Sequence, residues 1–164
     1  MDKKGFTLIE LLVVVAIIEI LAAIAIPNLL NAMTRARQRK TMAEIRTLAT
    51  AWETRNVEVG RYNAAAAGYA GIDQAVSMDD LETTLKPTYV RSFPKQDAWD
   101  QPFACFTDIS WNDSVSAQKY AIISSGADKK FDPATPAGAT SNFDCDIIFV
   151  SGSFLTYPGG VQQQ

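Results

Sequence analysis

Polar and apolar positions divide the chain into three regimes. Between residues 6 and 30 the only polar side chains are Thr7, Glu10, Glu19 and Asn28. About 20 apolar residues in helical form cross a bilayer core, so this segment predicts a membrane-spanning helix. It is apolar on every face, unlike a helix that lies along a membrane surface. After Pro27 the pattern becomes periodic. Met42, Ile45, Leu48, Ala49, Trp52 and Val59 fall on one helical face. That spacing predicts a helix continuing over 31–61 with one side packed on a sheet, and it makes Trp52 a core residue. Pro27 predicts a kink or an opening over residues 23–27.

Gly60 and the small residues of 63–71 predict the helix end and a loop. Residues 72–92 read as a linker holding a short helix, MDDLETTL, capped by Ser77. Pro87 and Pro94 break regular structure beyond that helix. Strand-like runs with turn residues at their ends occupy 103–108, 120–124, 146–150 and 153–157. The expected fold class is α+β: a long N-terminal hydrophobic helix packed on a small antiparallel β-sheet.

Charge sharpens this picture. The chain of 164 residues carries a net charge of −3, but residues 28–61 are basic and residues 62–164 acidic. Arg35, Arg37, Arg39 and Lys40 directly follow the apolar segment and suit a solvated face, lipid headgroups or an acidic surface of another copy. An acidic body without interleaved aromatic and basic residues argues against nucleic-acid binding. Histidine is absent, which removes the commonest general base. No catalytic constellation is present. Asp79 with Asp80, and Asp128 with Asp132, are explained by surface solvation. Residues 22–25, Ala-Ala-Ile-Ala, imitate a signal-peptidase site poorly. Counting Lys3 and Lys4 against the four bases beyond the helix would place the body in the cytoplasm.

The run Lys4-Gly5-Phe6-Thr7-Leu8-Ile9-Glu10, then LLVVVAII and LAAIAIPNLLNA, resembles the N-terminus of type IV prepilins and of type II secretion pseudopilins. The likeness covers residues 3–50 and implies a pilin-like fold. It implies that residues 1–5 form a cytoplasmic leader, that a prepilin peptidase cuts between Gly5 and Phe6, and that Phe6 is then N-methylated. Residues 6–30 form a transmembrane and later filament-core helix, and residues 62–164 a body exported to the periplasm. Glu10 lies four residues beyond Phe6, about 6 Å along a helix. A carboxylate in hydrocarbon costs roughly 2.5–3.5 kcal/mol, and pairing with the new ammonium offsets it. The resemblance assigns that ammonium to an adjacent copy. Glu19 departs from the family, which has a small residue there, commonly glycine. It faces away from Glu10, about 180° round the helix. Protonation, a different neighbour and an engineered change all remain open for it.

The body resembles the major pseudopilins. Asp97-Ala98-Trp99-Asp100-Gln101-Pro102 matches their DxWGxP run, with Asp100 in place of glycine. YAIISSGAD and Asp144-Cys145-Asp146-Ile147 resemble two further runs. The resemblance implies calcium in the loop after Gly126. Side chains of Asp128 and either Asp132 or Asp144 would hold it, with backbone oxygens of Ser125 and Lys130. Lys129 and Lys130 oppose it, and a metal-free polar loop is the alternative. Cys105 and Cys145 are the only cysteines. In an exported body a disulfide between them is expected, worth about 4 kcal/mol, with two free thiols as the alternative.

The expected function is that of a structural subunit that polymerises into a helical filament, the piston-like major pseudopilin of a type II secretion system. Its partners would be further copies, the prepilin peptidase, an inner-membrane assembly platform, minor pilins or pseudopilins, and lipid before assembly. A type IV pilin forming surface fibres for adhesion, motility or uptake is the alternative. A periplasmic binding module anchored by one uncleaved helix is the reading from another class. No enzyme activity is expected.

Overall fold

The computed structural model describes residues 5–62, 64–69, 72–109, 116–132 and 137–159. Leader residues 1–4, and residues 133–136 of the expected calcium loop, lie outside the described residues. The chain forms two compact units, Met1–Ala36 and Arg37–Gln164. Helix α1 runs over Leu8–Val59.

In the first unit α1 is solvent-facing along its apolar length, with Leu8 87% and Ile24 64% exposed. Its start is a capping box. The Glu10 amide donates to Thr7 Oγ1 (3.3 Å), and the Thr7 amide donates to Glu10 Oε2 (2.8 Å). Two end-of-helix donors are thereby satisfied reciprocally. The expected opening at Pro27 does not occur, since α1 is unbroken from residue 23 to 27. Pro27 lacks the amide that would reach the Ala23 carbonyl. One turn along, the Asn28 side-chain amide donates to the Ile24 carbonyl at 3.1 Å, adding a bond where the ladder is weakened.

In the second unit α1 buries Ile45, Leu48, Ala49, Ala51 and Trp52. Met42 packs at the margin of this core. Val59 does not join it: the helix ends there, and Val59 is exposed. Trp52 is fully buried, 5.0 Å from the Tyr120 ring, and its Nε1 donates to the Tyr62 carbonyl (3.1 Å). An indole that buries its ring and also satisfies its N–H belongs to the core, as its position on the stripe predicts.

The sheet comprises β1 (Ala64–Tyr69), β2 (Ile72–Val76), β3 (Ala104–Ile109), β4 (Tyr120–Ser124), β5 (Gly138–Thr140), β6 (Ile147–Val150) and β7 (Ser153–Pro158). Its order is β1-β2-β3-β4-β6-β7-β5, antiparallel except for the parallel β5–β7 pair. Every residue of β4 is buried, which makes it the middle of the core. Helix α2 (Met78–Leu85) starts at the predicted cap, where Ser77 Oγ accepts the Asp79 amide, and it buries Leu81 and Leu85. The four predicted strand runs correspond to β3, β4, β6 and β7.

Three strands go beyond the sequence pattern. Residues 63–71 carry loop signals and 72–76 linker signals, but β1 and β2 pair with each other and with β3. Ala-rich β1 has no alternation to announce it, and its partners supply the ladder. β5 is a three-residue edge strand held by β7.

The expected disulfide is absent, because Cys105 and Cys145 are free thiols. Cys105 stands opposite Ile122, and Ser124 opposite Ile147. Cys145 is therefore two strands across and about four residues along from Cys105. That separation is on the order of 15 Å, whereas bridged Cα atoms lie about 4.4–6.8 Å apart. Burial also pushes the Cys105 thiol well above its ordinary pKa.

One buried acid ties the connections to the core. Asp97 Oδ1 accepts the amides of Trp99 (2.8 Å) and Gln101 (3.0 Å), and Ser124 Oγ on β4 donates to its Oδ2 (2.7 Å). Thr41 of α1 accepts the Ala98 amide at 3.1 Å. The turn so formed places Asp100 at φ 61°, the left-handed region that glycine adopts most readily. Aspartate tolerates it better than most residues. Asp100→Gly is expected to stabilise the body by about 1 kcal/mol, raising Tm by about 3 °C. Asp100→Val should lower it, and thermal unfolding of both variants checks this.

Candidate functional site

Two places concentrate polar groups in otherwise apolar or buried surroundings. The first is the N-terminal end of α1. Gly5 meets no heavy atom within 4 Å of where a Cβ would stand, and Phe6 is 74% exposed. The Gly5–Phe6 bond thus precedes the helix in an open stretch. The capping box holds the Glu10 carboxylate at the end of the helix nearest Phe6. Only Oε2 is engaged, by the Thr7 amide and hydroxyl. Oε1 makes no hydrogen bond among the described residues. A carboxylate fixed through one oxygen keeps the other for a cation. The capping role of Thr7 is a residue function that the sequence reading missed, although Thr-x-x-Glu ahead of an apolar run is its signature.

Glu19, in the same unit, is also exposed. It borders an apolar trough lined by Leu8, Leu11, Leu12, Val15 and Ala16.

The second place is the loop after β4. Gly126 has φ 67°, and a Cβ there would come within 2.8 Å of the Cys145 carbonyl oxygen. Only glycine fits, which accounts for the Gly-x-Asp pattern. The Ala127 amide donates to the Phe143 carbonyl (3.3 Å), and the Asp132 amide to Asp146 Oδ2 (2.9 Å). Two chain segments are thus laced together around one carboxylate.

Of the residues expected to hold calcium, Asp128 and Asp132 lie in this loop, together with Ser125 and Lys130. Asp128 Oδ1 accepts the Lys130 amide at 2.9 Å. Asp144 is exposed, and its amide bonds to Asn142 Oδ1. The acid turned inward is Asp146, two residues on. It is fully buried, and its Oδ1 has no hydrogen-bond partner. Burial raises its pKa to about 6, the negative charges of Asp128 and Asp132 add to the rise, and the Asp132 amide opposes it. No three acids or thiols converge to metal-binding distance among the described residues. Oxygen donors of this kind are those a hard cation takes, and Asp146 keeps one carboxylate oxygen without a hydrogen-bond partner. The alternation Asp-Cys-Asp-Ile, with Asp146 one residue before a buried strand, was the signal for its inward side chain.

Comparison with known protein families covers most of the chain. Residues 1–26 match the prokaryotic N-terminal methylation motif. Residues 28–141 match type II secretion system (T2SS), protein G. The chain belongs to the protein G family of type II secretion. No curated protein and no solved structure matches it. The protein G match spans most of the chain and favours the major pseudopilin over the surface-fibre pilin. The family is one of structural subunits. The methylation motif and the apolar helix fit a membrane-anchored, single-pass protein.

The raised Asp146 value has a thermodynamic consequence. An acid whose pKa is higher folded than unfolded binds its proton more tightly in the folded state. Its contribution is therefore greatest at low pH and is lost as pH rises from about 4 to about 6. In metal-free buffer, Asp146→Asn should remove that loss and raise Tm above wild type at pH 7, by several degrees. At pH 3 the two proteins should differ little. Paired thermal melts across this range test it.

Proposed function

We propose that this pseudopilin is inserted with its leader in the cytoplasm and its body in the periplasm. It is cut between Gly5 and Phe6 by a prepilin peptidase, N-methylated at Phe6 and polymerised on an inner-membrane platform. Minor pseudopilins are its partners in the filament. The observation that carries this reading is Glu10: a carboxylate on a lipid-suited helix, locked to Thr7 through one oxygen, four residues from the nitrogen that cleavage would expose. Pairing with the ammonium of an adjacent copy removes its cost, roughly 2.5–3.5 kcal/mol in hydrocarbon, and sets the axial stagger. The contact joins different surfaces of two copies and repeats without closing, which generates a helix of subunits. Filament growth and retraction then act as a piston on exported proteins.

The loop after β4 supports calcium as a structural ion of the body. Asp146, Asp128 and Asp132 would supply carboxylates, and Ser125 and Lys130 carbonyl oxygens. The ion would neutralise acids that otherwise repel one another. Asp146 joins the candidates beside Asp144, because its side chain is buried and that of Asp144 is exposed.

Glu10→Ala should leave the Tm of the body unchanged and reduce filament yield by about tenfold or more, the change produced by ~1.4 kcal/mol per contact. Electron microscopy and sedimentation of assembled material measure it, and normal filaments from this variant would refute the role of Glu10. N-terminal mass analysis of the wild type should show methylated Phe6. An intact Met1 would instead favour the uncleaved, membrane-anchored binding module. For the loop, millimolar calcium should raise the Tm of the wild type and leave Asp146→Asn unmoved.

A further inference from the structure

We infer that Glu19 forms a second intermolecular contact of the filament core, accepting the guanidinium of Arg35 from another copy of this chain. The inference rests on the filament reading above. Glu19 is exposed on an apolar helix and has no hydrogen-bond or ion-pair partner among the described residues. On its N-terminal side the same helical face is the trough of Leu8, Leu11, Leu12, Val15 and Ala16. A carboxylate therefore closes one end of an apolar trough. That surface suits a second helix that is apolar along its length and cationic at one end.

Charge identifies the cation. Each copy carries two acids in its apolar segment and, after cleavage, one terminal ammonium. Glu10 lies one turn from that ammonium, whereas Glu19 is on the opposite face. With the ammonium taken by Glu10, Glu19 needs another cation, and the next base along the chain is Arg35. Within one copy the two residues are about 24 Å apart along the helix axis, so they cannot meet.

Rotation favours a meeting between copies. Arg35 lies about 160° round the helix from Glu19. A subunit in an open, head-to-tail stack needs two distinct contact faces, one for each neighbour. A second copy displaced by about 24 Å brings its Arg35 level with Glu19 and its residues 24–32 level with the trough. Those residues are apolar except for Asn28 and Asn31, and Asn28 spends its amide on the Ile24 carbonyl. Arg35 is exposed. Its five N–H donors in a planar fork can serve a carboxylate alongside other contacts.

The experiment is a charge swap in the full-length chain, expressed with its assembly machinery. Filament yield is normalised to processed subunit in the membrane. Glu19→Gln and Arg35→Gln should each lower yield several-fold without changing the Tm of the body. Glu19→Arg combined with Arg35→Glu should restore it, and because the two positions cannot meet within one helix, rescue reports a contact between copies. In parallel, a chain carrying Glu19→Cys and Arg35→Cys should give a ladder of multimers with a short bifunctional maleimide. The wild-type thiols serve as the control. Wild-type yield in both Gln variants overturns the inference. So does a failed swap with no ladder. A wild-type chain that never forms filaments refutes the filament reading itself, a result distinct from either.

Discussion

A carboxylate taken out of water must be protonated, hydrogen-bonded or paired with a cation, and this constraint places most of the polar features of the molecule. Asp97 meets it with three donors and thereby fastens the turn before β3 to β4. Glu53 of α1 takes the hydroxyl of Tyr120 in the aromatic core. Glu10 meets it by half, through Thr7, and Asp146 by half, through the Asp132 amide. Half-met carboxylates in conspicuous places mark where the chain is unfinished alone. In the reading proposed above, the first is completed by another copy and the second by a cation.

The two units differ in self-sufficiency for the same reason that oil and water separate. In the second, Trp52, Tyr120 and the aliphatic residues of α1, β4 and β6 bury one another completely. Such a core drives folding without outside help. In the first, the large apolar side chains from Phe6 to Leu30 are exposed among the described residues. In the proposed reading, lipid covers them before assembly and other copies afterwards. Burial among helices thus supplies cohesion, which is non-directional, and the acids supply register, which is not.

How legible each element is in the sequence depends on how strongly it is determined locally. Helix α1 is readable because its apolar stretch and its stripe both repeat at helical spacing, and Ser77 announces α2. Strands β3, β4, β6 and β7 carry their own β-branched and aromatic residues. Strand β1 is four alanines, a glycine and a tyrosine, so its pairing with β2 and β3 is imposed by partners distant in sequence. Conversely, the cysteine pair misleads, because being the only two says nothing of their separation on the sheet. At the acidic loop the sequence does not tell which aspartate turns inward. That depends on the Gly126 crossing over the Cys145 backbone, a tertiary contact.

Asp100 and Glu19 have opposite relations to the backbone. Asp100 sits in a left-handed turn, where glycine would be more at ease, and its cost is local. Glu19 sits in a helix, which glycine would loosen and glutamate favours. That difference bears on assembly, because a continuous helix is a ruler. At about 1.5 Å per residue the axial distance from Glu19 to Arg35 is fixed. A melted stretch would lengthen towards about 3.3 Å per residue and let this distance drift. The unbroken course of α1 through Pro27, with the Asn28 amide on the Ile24 carbonyl, keeps the ruler intact between Glu19 and Arg35. A glutamate rather than a glycine at position 19 therefore does two things at once: it stiffens the spacing, and it adds a charge whose partner that spacing can select.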